Sequence, residues 1–235
     1  GAEAIATGHY ATVQDNRLLR SVDDNKDQTY FLYRVDGAAL AQTLMPIGAY
    51  AKPEVRRLAQ EFGLPTAAKK DSQGICFVGP VGMKAFLQQY VPRESGPIVT
   101  TDGREIGQHD GAIFFTVGQR QGLGVGGGTP YYVLAKDMST NTVTVTDDPN
   151  DLALQSDQVQ LDDTHWIGEV PVIGKTYQVR FRHRGQLVDG RLEADDVLRL
   201  KQPVAALAAG QSAVIYDGEY CLGGGIMQAA QLAPA

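Results

Sequence analysis

The sequence predicts a chain in three parts: an α/β or helical first portion, a small mainly-β middle, and a C-terminal β-barrel. Three observations carry this. Up to about residue 80 the apolar residues recur at helical spacing, after a short apolar run at the start. From residue 93 the composition shifts toward glycine and β-formers. Beyond about residue 155 nearly every apolar stretch is short and strand-like, as in a small barrel. The corresponding boundaries are residues 1–82, 83–154 and 155–235.

In order along the chain, Ala4-Ile5-Ala6 reads as a short buried strand and Thr7-Gly8-His9-Tyr10 as the turn at its carboxyl end. Open α/β sheets place their ligands at that end of the strands. One strand makes no sheet, so the chain is expected to be the C-terminal portion of a larger protein. Next, Asn25-Lys26-Asp27-Gln28 leads into the aromatic run Thr29-Tyr30-Phe31-Leu32-Tyr33. This fits a helix start with Asp27 as its cap and the aromatics buried. It equally fits a polar prong on an aromatic anchor, with Lys26, Asp27 and Gln28 offering cation, acceptor and amide to bases or phosphates. Pro53 to Leu64 predicts a helix: Val55, Leu58, Ala59 and Phe62 share one face, Pro53 suits the first turn and Gly63 the C-terminal cap. A shorter helix is expected from Gly82 to Val91, with Met83, Phe86, Leu87 and Tyr90 on one face and Pro92 ending it. All these apolar residues read as core.

In the β-rich part, Ala112–Thr116 reads as a strand. The glycines between Val117 and Gly128 are spaced somewhat like a dinucleotide loop, but no βαβ unit surrounds them, so a tightly turning or flexible connection is expected. Tyr131–Lys136 and Thr142–Thr146, joined by Asp137-Met138-Ser139-Thr140-Asn141, make a hairpin. Further strands are expected at Val159–Leu161, His165–Ile167, Tyr177–His183, Leu187–Leu192, Val197–Leu200, Ser212–Tyr216 and Tyr220–Leu222, with Asp217-Gly218 as a hairpin turn.

The 235 residues, 43% hydrophobic and 20% charged, have ordinary globular composition. No apolar run is long enough to span a bilayer and the start lacks the pattern of a signal peptide, so no membrane partner is expected. Two cysteines are too few for a disulfide scaffold, which points to a reducing cytoplasm. A net charge of −6 argues only weakly against nucleic acid, because binding depends on local patches. Basic residues cluster at Arg56-Arg57, at Lys69-Lys70, and along Arg180, Arg182, Arg184 and Arg191. The segment Lys69-Lys70-Asp71-Ser72-Gln73-Gly74-Ile75-Cys76-Phe77 sets a cysteine in a polar loop beside cations, which favour thiolate. A reactive thiol and an inert loop cysteine both fit that stretch taken alone. Cys221, in a strand pattern, reads as a structural thiol.

Four segments then line up: Ala6-Thr7-Gly8-His9-Tyr10-Ala11, Asn25-Lys26-Asp27-Gln28-Thr29-Tyr30-Phe31-Leu32, Asp71-Ser72-Gln73-Gly74-Ile75-Cys76-Phe77, and Phe115-Thr116-Val117-Gly118-Gln119-Arg120-Gln121-Gly122-Leu123-Gly124. With Gly210-Gln211-Ser212-Ala213-Val214 and Cys221-Leu222-Gly223-Gly224-Gly225, they make this sequence resemble the bacterial tRNA-specific 2-thiouridylases, the MnmA/TrmU family, over essentially its whole length. The resemblance implies the C-terminal part of an ATP-pyrophosphatase (adenine nucleotide alpha hydrolase-like) domain, then a small central domain and a tRNA-contacting barrel. It implies ATP-dependent replacement of the C2 oxygen of a wobble uridine by sulfur. ATP (as Mg-ATP) adenylates that oxygen, a persulfide on Cys76 supplies the sulfur, and an upstream cysteine resolves the intermediate through a disulfide. By the same resemblance, Gly8 is an ATP contact, and His9, Lys26, Asp27, Gln28, Arg182, His183 and Gln211 contact tRNA. No protein-bound metal is implied. Implied partners are the tRNAs for Lys, Glu and Gln and a sulfur donor such as a cysteine desulfurase or relay protein.

Two departures stand beside the resemblance. The phosphate-binding Ser-Gly-Gly loop and the upstream cysteine are absent from this chain, so as given it is expected to be inactive, with no ATP bound. His183 occupies a position that more usually carries Tyr. On an ideal strand Arg182 and His183 point to opposite faces, so both reach RNA only if the strand ends or bulges before Gly185. The competing readings are a tRNA-binding module in which Cys76 is inert, and a redox switch pairing Cys76 with Cys221, which needs their α-carbons within about 7 Å.

Overall fold

The computed structural model describes residues 1–69, 86–87, 89–91, 93–126 and 128–231, and they divide into two compact units. The larger holds Gly1–Lys69, Asp157–Val204 and the described residues from Ala209 onward; the smaller holds those from 86 to 156 with Ala205–Ala208.

The larger unit begins with β1 (Ile5–Ala6), β2 (Ala11–Gln14), β3 (Arg17–Arg20), α1 (Thr29–Leu32), α2 (Gly37–Ala41), β4 (Thr43–Leu44) and α3 (Lys52–Glu61). β1 pairs with β4 in parallel, as an α/β segment should. The strand is not buried as the sequence suggested: with one described partner strand, Ile5 stays 58% exposed. α3 forms where expected, with Pro53 in its first turn and Gly63 left-handed just past its end. Its apolar face is not core, however. Val55, Leu58 and Ala59 are only half-buried and Phe62 is exposed, because no described element packs broadly over them. Of the expected 82–91 helix, Phe86 and Leu87 are helical and half-buried, and Met83 lies outside the described residues. Tyr90 is exposed rather than core, its ring against Phe86 at 5.3 Å.

The smaller unit is a sheet of β5 (Gly96–Thr100), β6 (Glu105–His109), β7 (Tyr132–Asp137) and β8 (Thr142–Thr146), ordered β6-β5-β8-β7. The β7–β8 hairpin is as predicted, and the Asp137 carboxylate accepts from the backbone and hydroxyl of Ser139 in its turn. Ala112–Thr116 is not a strand. Ala112–Phe114 is a single 3₁₀ turn. Its burial repeats every third residue, with Ala112 and Phe115 inside and Ile113 outside, which is a 3₁₀ repeat and not strand alternation. Of the glycines after it, Gly118, Gly122 and Gly124 have positive φ, and the Gly118 amide donates to the Val133 carbonyl.

The remaining strands are β9 (Gln155–Trp166), β10 (Thr176–Arg180), β11 (Val188–Leu192), β12 (Val197–Ala205), β13 (Ser212–Asp217) and β14 (Tyr220–Gln231). Their order β13-β10-β11-β12-β9-β14, with β13 also paired to β14, closes a barrel of 6 strands. The two short strands expected at 159–161 and 165–167 are one strand that continues through Asp163, left-handed at φ 46°. β14 runs on to Gln231 instead of stopping at Leu222.

A feature absent from the sequence expectation ties the ends of the chain together. The β2–β3 hairpin joins the barrel sheet, where Leu18 and Leu19 of β3 pair with Cys221 and Tyr220 of β14. Its apolar side chains pack with α1, α2 and the outer face of β13 in one cluster: Ala11, Leu18, Tyr33, Leu40, Ile167, Val214, Tyr216 and Cys221. Burying a side chain such as Leu18 or Leu40 fully is worth about 1.5–3 kcal/mol, so this seam holds the N-terminal segment firmly on the barrel. β13 is buried on both faces, which explains its uninterrupted apolar run Ala213-Val214-Ile215-Tyr216.

Candidate nucleic-acid interface

The seam brings together residues that lie far apart in the chain. Asp27 is fully buried, and Arg180, the last residue of β10, is nearly so. Arg180 Nη1 donates to Asp27 Oδ2 at 2.6 Å, across 153 positions of sequence. The same carboxylate accepts from the backbone and hydroxyl of Thr29, and Arg20 Nε lies 3.9 Å from it. Thr29 Oγ1 in turn reaches the buried Tyr216 hydroxyl at 3.2 Å. Buried charges need pairing and hydrogen bonds, and this network supplies both. Asp27 therefore does not present its carboxylate to solvent. Nor is it the helix cap: Gln28 stands at the N-cap position of α1, without a side-chain capping bond.

Two further ties set the flanking groups. Tyr10 and Gln28 are bonded reciprocally: the Tyr10 amide donates to Gln28 Oε1 and the Gln28 amide to the Tyr10 carbonyl, both at 2.9 Å. This places His9 beside the Lys26–Gln28 segment. On the barrel side, β10 ends at Arg180 and the chain turns, with Arg184 left-handed and the Gly185 amide donating to the Arg182 carbonyl. Arg182 and His183 thus sit in a turn, not on a strand, which removes the opposite-face restriction. Arg184 Nε donates to the Asn25 carbonyl at 2.8 Å, joining that turn to the Asn25–Gln28 loop. The Tyr30 hydroxyl donates to the carbonyls of Phe181 and Ser212, and Tyr33 bonds the Ser212 hydroxyl, so Gln211 follows the same surface.

The result is one surface with His9, Lys26, Gln28, Arg182, His183 and Gln211 around it and Asp27 beneath it. Arg182 and Arg184 are exposed. The His183 ring lies 4.6 Å from Phe31. Burial, then Arg184, pushes the His183 pKa below its ordinary value, so the imidazole is neutral near pH 7. Its Nδ1, like Gln211 Oε1, is buried with no hydrogen-bond partner among the described residues. In the sequence Arg184 stands out only as a member of the basic cluster and Phe31 only within the aromatic run, neither as a site residue.

Gly8 directly precedes His9, just beyond the carboxyl end of β1, and is exposed. A β-carbon there would meet nothing within 4 Å, so no described residue requires glycine at that position. Cys76 and Lys70 lie outside the described residues. Cys221 is free and buried in the seam, and burial pushes its thiol pKa up, as expected for a structural cysteine. Among the described residues there is no helix long and apolar enough to cross a membrane, and no group of three or more His, Cys, Asp or Glu placed to hold a metal ion.

Three family models match in chain order: a tRNA methyl transferase HUP domain over residues 1–80, a tRNA methyl transferase PRC-barrel domain over 84–147, and an aminomethyltransferase beta-barrel domain over 156–227. Among similar proteins, the tRNA-specific 2-thiouridylase MnmA of Sodalis glossinidius (strain morsitans) is 45% identical over 98% of this chain and 66% of its own length. Those of Yersinia pestis (strain Pestoides F) and Yersinia pseudotuberculosis (serotype O:1b, strain IP 31758) are 44% identical over 97% of this chain and 65% of theirs. The chain thus spans slightly less than two thirds of these relatives.

Proposed function

The chain belongs to the MnmA/TrmU family of tRNA-specific 2-thiouridylases, and from that premise we propose that it carries the tRNA-gripping and sulfur-carrying part of an ATP-dependent tRNA-uridine 2-sulfurtransferase. The observation that supports this best is the joining of the Asn25–Gln28 loop to the Arg182–Gly185 turn through Arg180–Asp27 and Arg184–Asn25. It gathers cations, an amide and a neutral imidazole on one surface, the mixture that holds RNA phosphates and reads exposed base edges.

On this reading, Lys26 and Arg182 neutralise phosphates. His9, Gln28, His183 and Gln211 contact the nucleotides around the target uridine. Asp27 holds the loop from below. The first segment is the end of an ATP-pyrophosphatase domain of the alpha-hydrolase type. Gly8, at the strand end and open to solvent, fits close approach of a nucleotide, where a side chain would crowd it. ATP supplies the adenylyl group that makes the C2 oxygen of the wobble uridine a leaving group. Cys76 carries the persulfide: its terminal sulfur attacks C2 and expels AMP, and an upstream cysteine of the full-length protein then attacks the Cys76 sulfur, closing a disulfide and leaving the outer sulfur on the uridine. The substrates are the tRNAs for Lys, Glu and Gln, and the donor is a cysteine desulfurase or a relay protein.

The interface is tested by tRNA affinity as a function of salt. Arg182→Ala should weaken binding of unmodified tRNA by the full-length protein and lower the slope of log K against log salt by about 0.7–0.9, the loss of one phosphate contact. An unchanged slope and affinity would remove Arg182 from the interface.

A further inference from the structure

We propose that Phe31, seated against His183, is a stacking platform for an unpaired base of the bound RNA. This rests on the tRNA-binding reading above and adds to it a residue that the reading does not use.

Every other aromatic of the α1 segment has a structural task. Tyr33 is buried in the seam, and Tyr30 donates its hydroxyl to the Phe181 and Ser212 carbonyls. Phe31 has none of this and is 60% exposed. Yet its ring is not loose. Tyr30 meets it edge-on, with centroids 5.5 Å apart and planes at 81°, and His183 lies 4.6 Å away at 39°. A ring braced on two sides and open on the rest loses little further freedom on stacking a base.

The surroundings favour a nucleotide over an apolar peptide. Arg182 and Arg184 flank His183 in its turn, and the Arg184–Asn25 bond brings that turn to the loop bearing Lys26. The carboxylate of that loop, Asp27, is turned inward onto Arg180. An aromatic face bordered by cations suits single-stranded RNA, with the phosphates on the cations and the base on the ring. A neutral His183 extends the π surface without adding charge.

The experiment measures binding of unmodified tRNA by the full-length protein at several salt concentrations, for the wild type and for Phe31→Ala, Phe31→Leu and Phe31→Trp, with a thermal melt of each. Because the side chain is exposed, all three should fold. Phe31→Ala should lose about tenfold or more in affinity at an unchanged salt slope, since a stack and no charge is removed. Leucine should not restore binding, and tryptophan should stay within about threefold of wild type. Wild-type affinity in Phe31→Ala would overturn the platform. Wild-type affinity in Phe31→Leu with loss in Phe31→Ala would also overturn it, showing simple apolar cover by a protein segment or sugar. If the wild type itself binds no tRNA, the functional reading falls first; if it binds and only the Phe31 variants are indifferent, the platform alone falls.

Discussion

Arg180→Met should lower stability by about 3 kcal/mol, the low end of the ~3–5 kcal/mol cost of stripping one partner from a buried ion pair. Asp27, at zero exposure, would lose its 2.6 Å partner. The low end applies because Arg20 remains 3.9 Å away and the Thr29 hydroxyl and amide still donate. In a domain of this size that corresponds to a fall in Tm of roughly 6–12 °C. The double variant Asp27→Asn/Arg180→Met removes both charges and should recover much of the loss, because a neutral buried pair carries no unpaired ion. Calorimetry or denaturant titration of the wild type, Arg180→Met and the double variant reads this directly. If Arg180→Met melts within 2 °C of wild type, roughly 1 kcal/mol or less by the same conversion, the network is not holding the loop to the barrel.

Gly223→Ala should be at least as damaging, by about 3–5 kcal/mol, through a different cause. Gly223 has φ 135°, a region L side chains rarely adopt. A β-carbon there would lie 2.1 Å from the His165 carbonyl oxygen on β9, a backbone atom that cannot swing aside. The neighbouring Gly224 is equally confined on its other side, where the atom would lie 2.1 Å from the Ala213 carbonyl on β13. β14 is squeezed between β9 and β13 where the barrel closes, and the Gly223-Gly224-Gly225 run exists to let it pass. Gly168→Ala is the control in the same unit. Nothing lies within 4 Å of that added carbon, and the change should stay within ~0.5 kcal/mol. Equal melting temperatures for the two variants would refute this account of the glycine run.

What the sequence disclosed was local. The β7–β8 hairpin and the α3 helix with its Pro and Gly ends depend on neighbouring residues and appear as read, and the turn read at Asp217-Gly218 appears one position later, at Gly218-Glu219, with Asp217 paired to Tyr220. Where a second factor intervened, local pattern misled. The glycine run hid most of β14, because glycine is depleted in strands except where backbones crowd. The apolar stretch Ile113-Phe114-Phe115 read as a strand, although its burial follows a three-residue repeat. One local signal went unread: Asp15-Asn16, both left-handed, between Ala11-Thr12-Val13-Gln14 and Arg17-Leu18-Leu19-Arg20 is a two-residue hairpin turn. That the hairpin then joins β14, some two hundred positions later, is long-range and invisible to any window. The same holds for the site. Lys26, Asp27, Gln28, Arg182 and His183 were each legible as candidates, but the inward turn of Asp27 onto Arg180 depends on packing between distant segments.

Under the proposed function, sulfur passes from Cys76 to tRNA in the full-length protein. The measurement is 2-thiolation of unmodified tRNA by the full-length protein with ATP and a persulfide donor, comparing wild type with Cys76→Ser, alongside tRNA affinity. If Cys76 carries the sulfur, thiolation is lost while affinity stays within about twofold, because the proposed tRNA surface lies on the barrel seam and its attached loops. Thiolation at the wild-type rate by Cys76→Ser would contradict it, leaving Cys76 a bystander and the chain a tRNA-binding module.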